Sequence, residues 1–130
     1  MEKESISIKT ITTKSAPAAI GPYVQGMTYE NLVFTSGQIA LHPESGEIPT
    51  GIEAQVRLAV KNAEAILLAA GSSLQKAVKV NIFLTDMDDF LLVNQVYEEL
   101  FIASYPCRSC VEVSRLPAGA NVEIEIIAAK

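Results

Sequence analysis

A chain of 130 residues with 49% hydrophobic and 19% charged residues has the material for one domain over 1–130, which excludes disorder and any need for a disulfide or metal to fold. Its net charge of −5, with ten Lys and Arg scattered along the chain, excludes the basic patch on which nucleic-acid binding depends. The longest apolar run, Ala65–Ala70, is too short to span a membrane. The opening MEKESISIKT lacks the apolar segment of a signal peptide, so a cytoplasmic protein with free thiols is expected.

Ser5–Ile11 alternates weakly through Ile6 and Ile8 and predicts a first strand. The run KSAPAAIGPY (14–23), with two prolines and a glycine, reads as an ordered loop. Leu32–Ser36 is a short β-rich run, and HPESGEIP (42–49) is a turn-rich connection of the kind that joins strands. Thr50 and Glu53 form a capping box for a helix whose apolar stripe is Ile52, Val56, Ala59, Val60, Ala63, Ile66, Leu67 and Ala70. Gly71 supplies its stop.

Val78–Leu84 alternates, placing Val78, Val80, Ile82 and Leu84 on one face. The acids of TDMDD (85–89) precede a second helix with the stripe Phe90, Val93, Tyr97, Leu100 and Phe101. Strands are predicted at Ser109–Arg115 and at Val122–Ala128, where Val122, Ile124 and Ile126 share a face. Two helices cover only one face of such a sheet and leave the other to solvent or to another subunit.

The most conspicuous motif, Cys107-x-x-Cys110, invites a redox or zinc reading. It runs into a strand, where positions i and i+3 point to opposite faces and their Cα atoms lie about 10 Å apart, beyond disulfide reach. Two unconnected thiols are expected instead. His42 beside Pro43 reads as a solvated loop histidine. No G-x-S-x-G or G-x-x-x-x-G-K segment is present, which removes the commonest serine-hydrolase and nucleotide readings.

Glu123 and Glu125 point away from the buried face of the last strand, and Glu112 shares a strand face with Arg108 and Cys110. On a solvated face these charges are unremarkable; on a face closed by another subunit they need partners or a task. If the last two strands formed a hairpin about LPAGAN (116–121), Arg108 would lie about 20 Å along the ladder from Glu123. A site using both would then form between subunits.

The segments APAAIGPYVQG (16–26), FTSGQIA (34–40), NQVYEELF (94–101), RSCVEVSRLP (108–117) and VEIEIIA (122–128) together resemble the reactive intermediate deaminase A (RidA/YjgF) family over almost the whole chain. The resemblance implies an α+β, chorismate-mutase-like fold, with a mixed sheet and two helices on one face, assembling as a barrel-like homotrimer with clefts between subunits. It also implies that another strand separates the last two, contrary to the hairpin. The implied activity is hydrolysis of 2-imino acids, such as 2-iminopropanoate and 2-iminobutanoate, to 2-oxo acids and ammonia, with no cofactor or metal.

By the same resemblance, Arg108 grips the substrate carboxylate, and Glu123 of the neighbouring subunit positions water together with a backbone carbonyl near Cys110. Tyr23, Asn94 and Cys110 match pocket residues, as do Ser36 and Gly37 from the adjacent subunit. Cys107 stands where the family usually has alanine. These residue types suit the chemistry: a guanidinium holds a planar carboxylate bidentately, and imine hydrolysis needs an oriented substrate and an aimed water, not a covalent nucleophile. Two alternatives keep the same fold: a carboxylate-ligand sensor without turnover, and a ribonuclease or translation inhibitor, which the acidic charge disfavours.

Overall fold

The computed structural model describes residues 7–102 and 104–130, and within them the alternating and helical patterns become seven strands and two helices. In chain order these are β1 (Ile8–Ile11), β2 (Gly26–Tyr29), β3 (Leu32–Thr35), β4 (Gln38–Ile39), α1 (Ile52–Ala69), β5 (Ala77–Leu84), α2 (Phe90–Leu100), β6 (Cys107–Glu112) and β7 (Val122–Ala129). They build one mixed sheet of order β1-β2-β3-β7-β5-β6, with β4 also paired to β7. Ser5 and Ile6 of the expected first strand lie outside the described residues.

The hairpin of the last two strands does not form. β6 runs parallel to β5, and β7 pairs antiparallel with the other side of β5. The reason is topological: α2 carries the chain back from the end of β5 to its start, so the next strand enters parallel. Val80, Ile82 and Leu84 of β5 and Val122, Ile124, Ile126 and Ala128 of β7 are buried against the inner faces of α1 and α2, and this layer is the core. Both helices lie on that side, as the two-helix count requires.

The local reading is corrected at five points. The Thr50–Glu53 capping box is absent: Gly51, at φ 97, is the N-cap and makes no side-chain bond, while Glu53 pairs with Arg57 at 3.2 Å. Val78 leaves the buried face because the β5–β7 register slips between Ala77 and Lys79, making it the extra residue of a bulge. β2 was not anticipated, since its hairpin to β3 turns through Glu30–Asn31 with Glu30 at φ 53, a turn without the usual glycine. The HPESGEIP segment joins a strand to α1, not two strands, and β6 begins and ends earlier than expected, at Cys107–Glu112.

The stop at Gly71 is as expected. Its N–H donates to Leu68 O (3.0 Å) and the Ser72 N–H to Leu67 O (2.8 Å), a Schellman closure at φ 82. Gly26 is required for a different reason. A Cβ there would sit 2.6 Å from Ile66 Cγ2 and 2.9 Å from the Phe34 carbonyl oxygen, so α1 packs directly on β2 backbone. We expect Gly26→Ala to destabilise the protein by about 1–3 kcal/mol through overpacking, measured as a lowered urea midpoint with unchanged slope.

The opposite face of the sheet carries no helix. Ile8, Tyr29, Leu32, Phe34 and Val111 are exposed there, interspersed with Glu123, Glu125, Lys79 and Asn81, which are half-buried.

Candidate functional site

The expected site residues divide into two groups. Tyr23, Ser36, Gly37 and Glu123 line one cavity of about 380 Å³ with Pro17, Ile20, Gln25 and Pro117. Arg108 and Asn94 line another, of about 500 Å³, with Leu91, Tyr97, Tyr105 and Pro106. Tyr23 thus stands with Ser36, Gly37 and Glu123, not with Arg108.

The first group is set by an interruption in the sheet. β3 leaves β7 after Phe34 and the chain rejoins it as β4 at Gln38. The Thr35 hydroxyl accepts from Ile126 N–H at 3.0 Å, so the break leaves this buried donor satisfied. Ser36 and Gly37 form the kink. The Ser36 hydroxyl donates to Val24 O at 2.6 Å, tying the kink to the Tyr23 loop. Gln25, buried, donates to Thr13 O, Ala16 O and Pro17 O and accepts from Thr13 N–H at 2.7 Å, so one amide side chain holds the loop wall. From below, Asn62 of α1 donates to Ile39 O and Leu41 O at 3.0 and 2.9 Å.

Glu123 is half-buried beside Gly37. Burial pushes its carboxyl above the usual glutamate range, and the like charge of Glu125 adds to this. A Cβ at Gly37 would collide with the Glu123 carboxylate. We expect Gly37→Ala to displace that carboxylate while the melting temperature moves little; a crystal structure of the variant with the Glu123 carboxylate in its original place would overturn this.

In the second group, Arg108 extends from β6 toward α2. Its guanidinium carbon lies 4.8 Å from the Tyr97 ring centroid and 5.6 Å from that of Phe90. Among the described residues no ion pair or hydrogen bond engages its nitrogens; the ion pairs are Arg57 with Glu53 and with Glu99. Asn94 Oδ1 and the Tyr97 hydroxyl are buried without a partner. Cys110, on the same strand face as Arg108, packs against the core; burial raises its thiol pKa and the Arg108 charge opposes the rise. Glu112, next on that face, accepts from Met87 N–H at 2.8 Å and thereby supports the approach to α2.

Arg108 and Glu123 do not meet. Val80 of β5 pairs with Arg108 on one side and Ile126 on the other. Glu123 is therefore two strands across and three residues along, about 14 Å between Cα atoms. The two side chains also project from opposite faces, since Arg108 shares the face of Val80, and Glu123 that of its partner Phe83. Cys107 and Cys110 are both free and lie in the extended β6, so their side chains point to opposite faces. Cys107 Sγ donates to Val78 O at 3.0 Å, at the bulge.

Sequence reasoning placed Phe90 and Tyr97 in the core stripe and missed their positions beside Arg108; Tyr105 was missed as a cavity wall. The available signal was the i, i+7 spacing of Phe90 and Tyr97 on one helix face. Gln25 carried no signal, because its role depends on a loop folded back on it.

The fold and these clefts define an α+β protein with one sheet and two helices. Residues 13–130 match the family described as Endoribonuclease L-PSP. A protein of Escherichia coli strain K12 named 2-iminobutanoate/2-iminopropanoate deaminase is 49% identical over 125 residues, covering 94% of this chain and 98% of that one. Its namesake in Salmonella typhimurium is 47% identical over 125 residues, again covering 94% and 98%. Among solved structures, E. coli TdcF with bound serine has a TM-score of 0.89 at 48% identity, covering 94% of this chain and 98% of that one. RidA from an Antarctic Psychrobacter has a TM-score of 0.91 at 43% identity, covering 94% and 99%. The chain belongs to this family, the RidA/YjgF family.

Proposed function

We propose that the protein is a 2-imino-acid deaminase acting on 2-iminopropanoate and 2-iminobutanoate, working as a homotrimer of a chorismate-mutase-like domain. The observation that carries this reading is the division of the site: a guanidinium with no ion pair among the described residues and a half-buried carboxylate, each in its own cleft, on opposite faces of one sheet. A second copy that covers the exposed apolar sheet face and reaches round the β6 edge brings the Glu123 group of one chain to the Arg108 group of the next. Relatives about half identical over nearly the full chain carry the corresponding enzyme name. The free thiols fit a reducing, cytoplasmic setting.

The reaction converts R–C(=NH2+)–COO− and H2O to R–CO–COO− and NH4+. Arg108 holds the carboxylate through its forked N–H groups, and Asn94 and Tyr23 wall the substrate. Glu123 accepts a hydrogen bond from the water aimed at C2. As the C2–O bond forms, the π electrons of C=N pass to nitrogen. Protons from the water move to the amine, and the C–N bond breaks to release ammonia. Ser36 has its hydroxyl proton committed to Val24 O and serves as wall. Cys110, its thiol pKa raised by burial, does not act as nucleophile.

The family description names an endoribonuclease, but a net charge of −5 opposes binding to a polyanion. The test is a trapping assay. A threonine dehydratase generates the imine in the presence of semicarbazide, and the semicarbazone is followed with and without this protein. Suppression of the adduct supports the deaminase. No suppression, with 2-oxobutanoate still bound at the cleft, would make the protein a carboxylate sensor.

A further inference from the structure

We infer that Tyr97, with Phe90, is a positioning residue for Arg108: the two rings bracket the guanidinium and hold it by cation–π attraction with its hydrogen-bonding fork free for a carboxylate. This rests on the reading of Arg108 as the carboxylate anchor. Phe90 and Tyr97 lie seven residues apart on α2, two turns or about 10.5 Å along the axis. A guanidinium carbon 5.6 Å from one centroid and 4.8 Å from the other is within cation–π range of both rings. Behind them, Tyr97 stacks on Phe101 at 4.3 Å between centroids, with the planes 22° apart. Phe101 is buried, so the ring nearest Arg108 is itself fixed by the core.

An arginine in a binding cleft is commonly steadied by a carboxylate, which occupies part of its fork and neutralises its charge. Here the nearest acid on its strand face, Glu112, is turned to Met87 N–H, and among the described residues none pairs with Arg108. Aromatic faces fix the guanidinium plane without taking its N–H groups. The fork stays open for a bidentate ligand, and less side-chain entropy remains to be lost when that ligand binds. The Tyr97 hydroxyl is buried without a partner, and burial pushes its pKa up to about 12, with Arg108 pulling the other way. The ring is thus a neutral phenol at working pH, and the attraction comes from its π face, not from a phenolate.

The experiment compares wild type, Tyr97→Phe, Tyr97→Leu and a series of increasingly fluorinated phenylalanines at position 97, all as the intact protein. Three readouts are taken: the Nε–Hε resonance of Arg108 by NMR, the dissociation constant for 2-oxobutanoate, and KM and kcat for the imine. We expect an upfield Arg108 resonance in wild type and Tyr97→Phe that is lost in Tyr97→Leu. Tyr97→Phe should bind 2-oxobutanoate within about twofold of wild type, while Tyr97→Leu weakens binding and raises KM by about two- to thirty-fold. Along the fluorine series, which keeps ring shape, KM should rise stepwise at constant melting temperature, a pattern that packing alone does not produce. An unshifted Arg108 resonance in wild type, a KM indifferent to fluorination, or equal losses in Tyr97→Phe and Tyr97→Leu would each overturn the bracket. If Tyr97→Leu does not fold, Tyr97→Phe and the fluorine series decide alone. An upfield Arg108 resonance in a protein that neither hydrolyses imines nor binds 2-oxo acids would sink the deaminase reading and leave the bracket standing.

Discussion

Replacing Arg108 by alanine is expected to lower kcat/KM for 2-iminobutanoate by between about thirty- and several-thousand-fold, with the protein still folded and assembled. Removing one partner of a desolvated, hydrogen-bonded charge pair costs about 2–5 kcal/mol, which converts to that range of rates. The fold should hardly notice. Arg108 makes no ion pair within the chain among the described residues, so no buried carboxylate is orphaned, and the lost ring contacts are worth about 1 kcal/mol. Arg108→Lys keeps the charge but replaces a planar fork with a point donor and should recover only part of the loss. The check is steady-state turnover beside sedimentation and thermal melting. Full activity in Arg108→Ala would end the assignment of the anchor, and a monomeric wild type would end the shared cleft.

Glu123→Gln is expected to separate stability from activity. Burial, then the adjacent Glu125 charge, raises the Glu123 pKa in the folded chain above its ordinary value. Between the unfolded and folded values the native state holds a proton that the unfolded chain has released. Stability therefore falls as pH rises through that window, and the decrement remains at neutral pH. Glutamine cannot ionise and escapes it. The variant should melt at or above wild type at pH 7, with the difference vanishing below the unfolded pKa. Its turnover should drop by about 10²–10⁴-fold if the carboxylate holds the water. Glu125→Gln removes the like charge, so the acid limb of the pH–rate profile should move to lower pH. A limb that stays in place would mean that some other group titrates there.

Much of the layered architecture was legible as pattern. The stripe from Val56 to Leu67, the Gly71 stop, and the alternation of Val80, Ile82 and Leu84 and of Val122, Ile124 and Ile126 all follow from local periodicity. The stripe and both alternations recur in the structure as buried faces, and Gly71 ends the helix. Where the pattern failed, a distant contact or backbone geometry had prevailed. Thr50 is displaced by Gly51 as N-cap, while the neighbouring Gln55 bonds to Pro49 and Asn121. Val78 is put out of register by β7. The Glu30–Asn31 turn places Glu30, not a glycine, at positive φ.

By itself the sequence determined which residues are chemically capable and which sheet face is buried, because residue type and a period of two or 3.6 are local properties. It also carried the family blocks that mark Arg108 and Glu123. Only the tertiary structure decided that β5 is the strand between β6 and β7, that Tyr23 joins Glu123 rather than Arg108, and that two aromatic rings lie against the guanidinium. Strand order and cross-element contacts are set by which distant segments bury their apolar faces together. That free energy belongs to pairs of segments far apart in the chain, so no single window of sequence contains it.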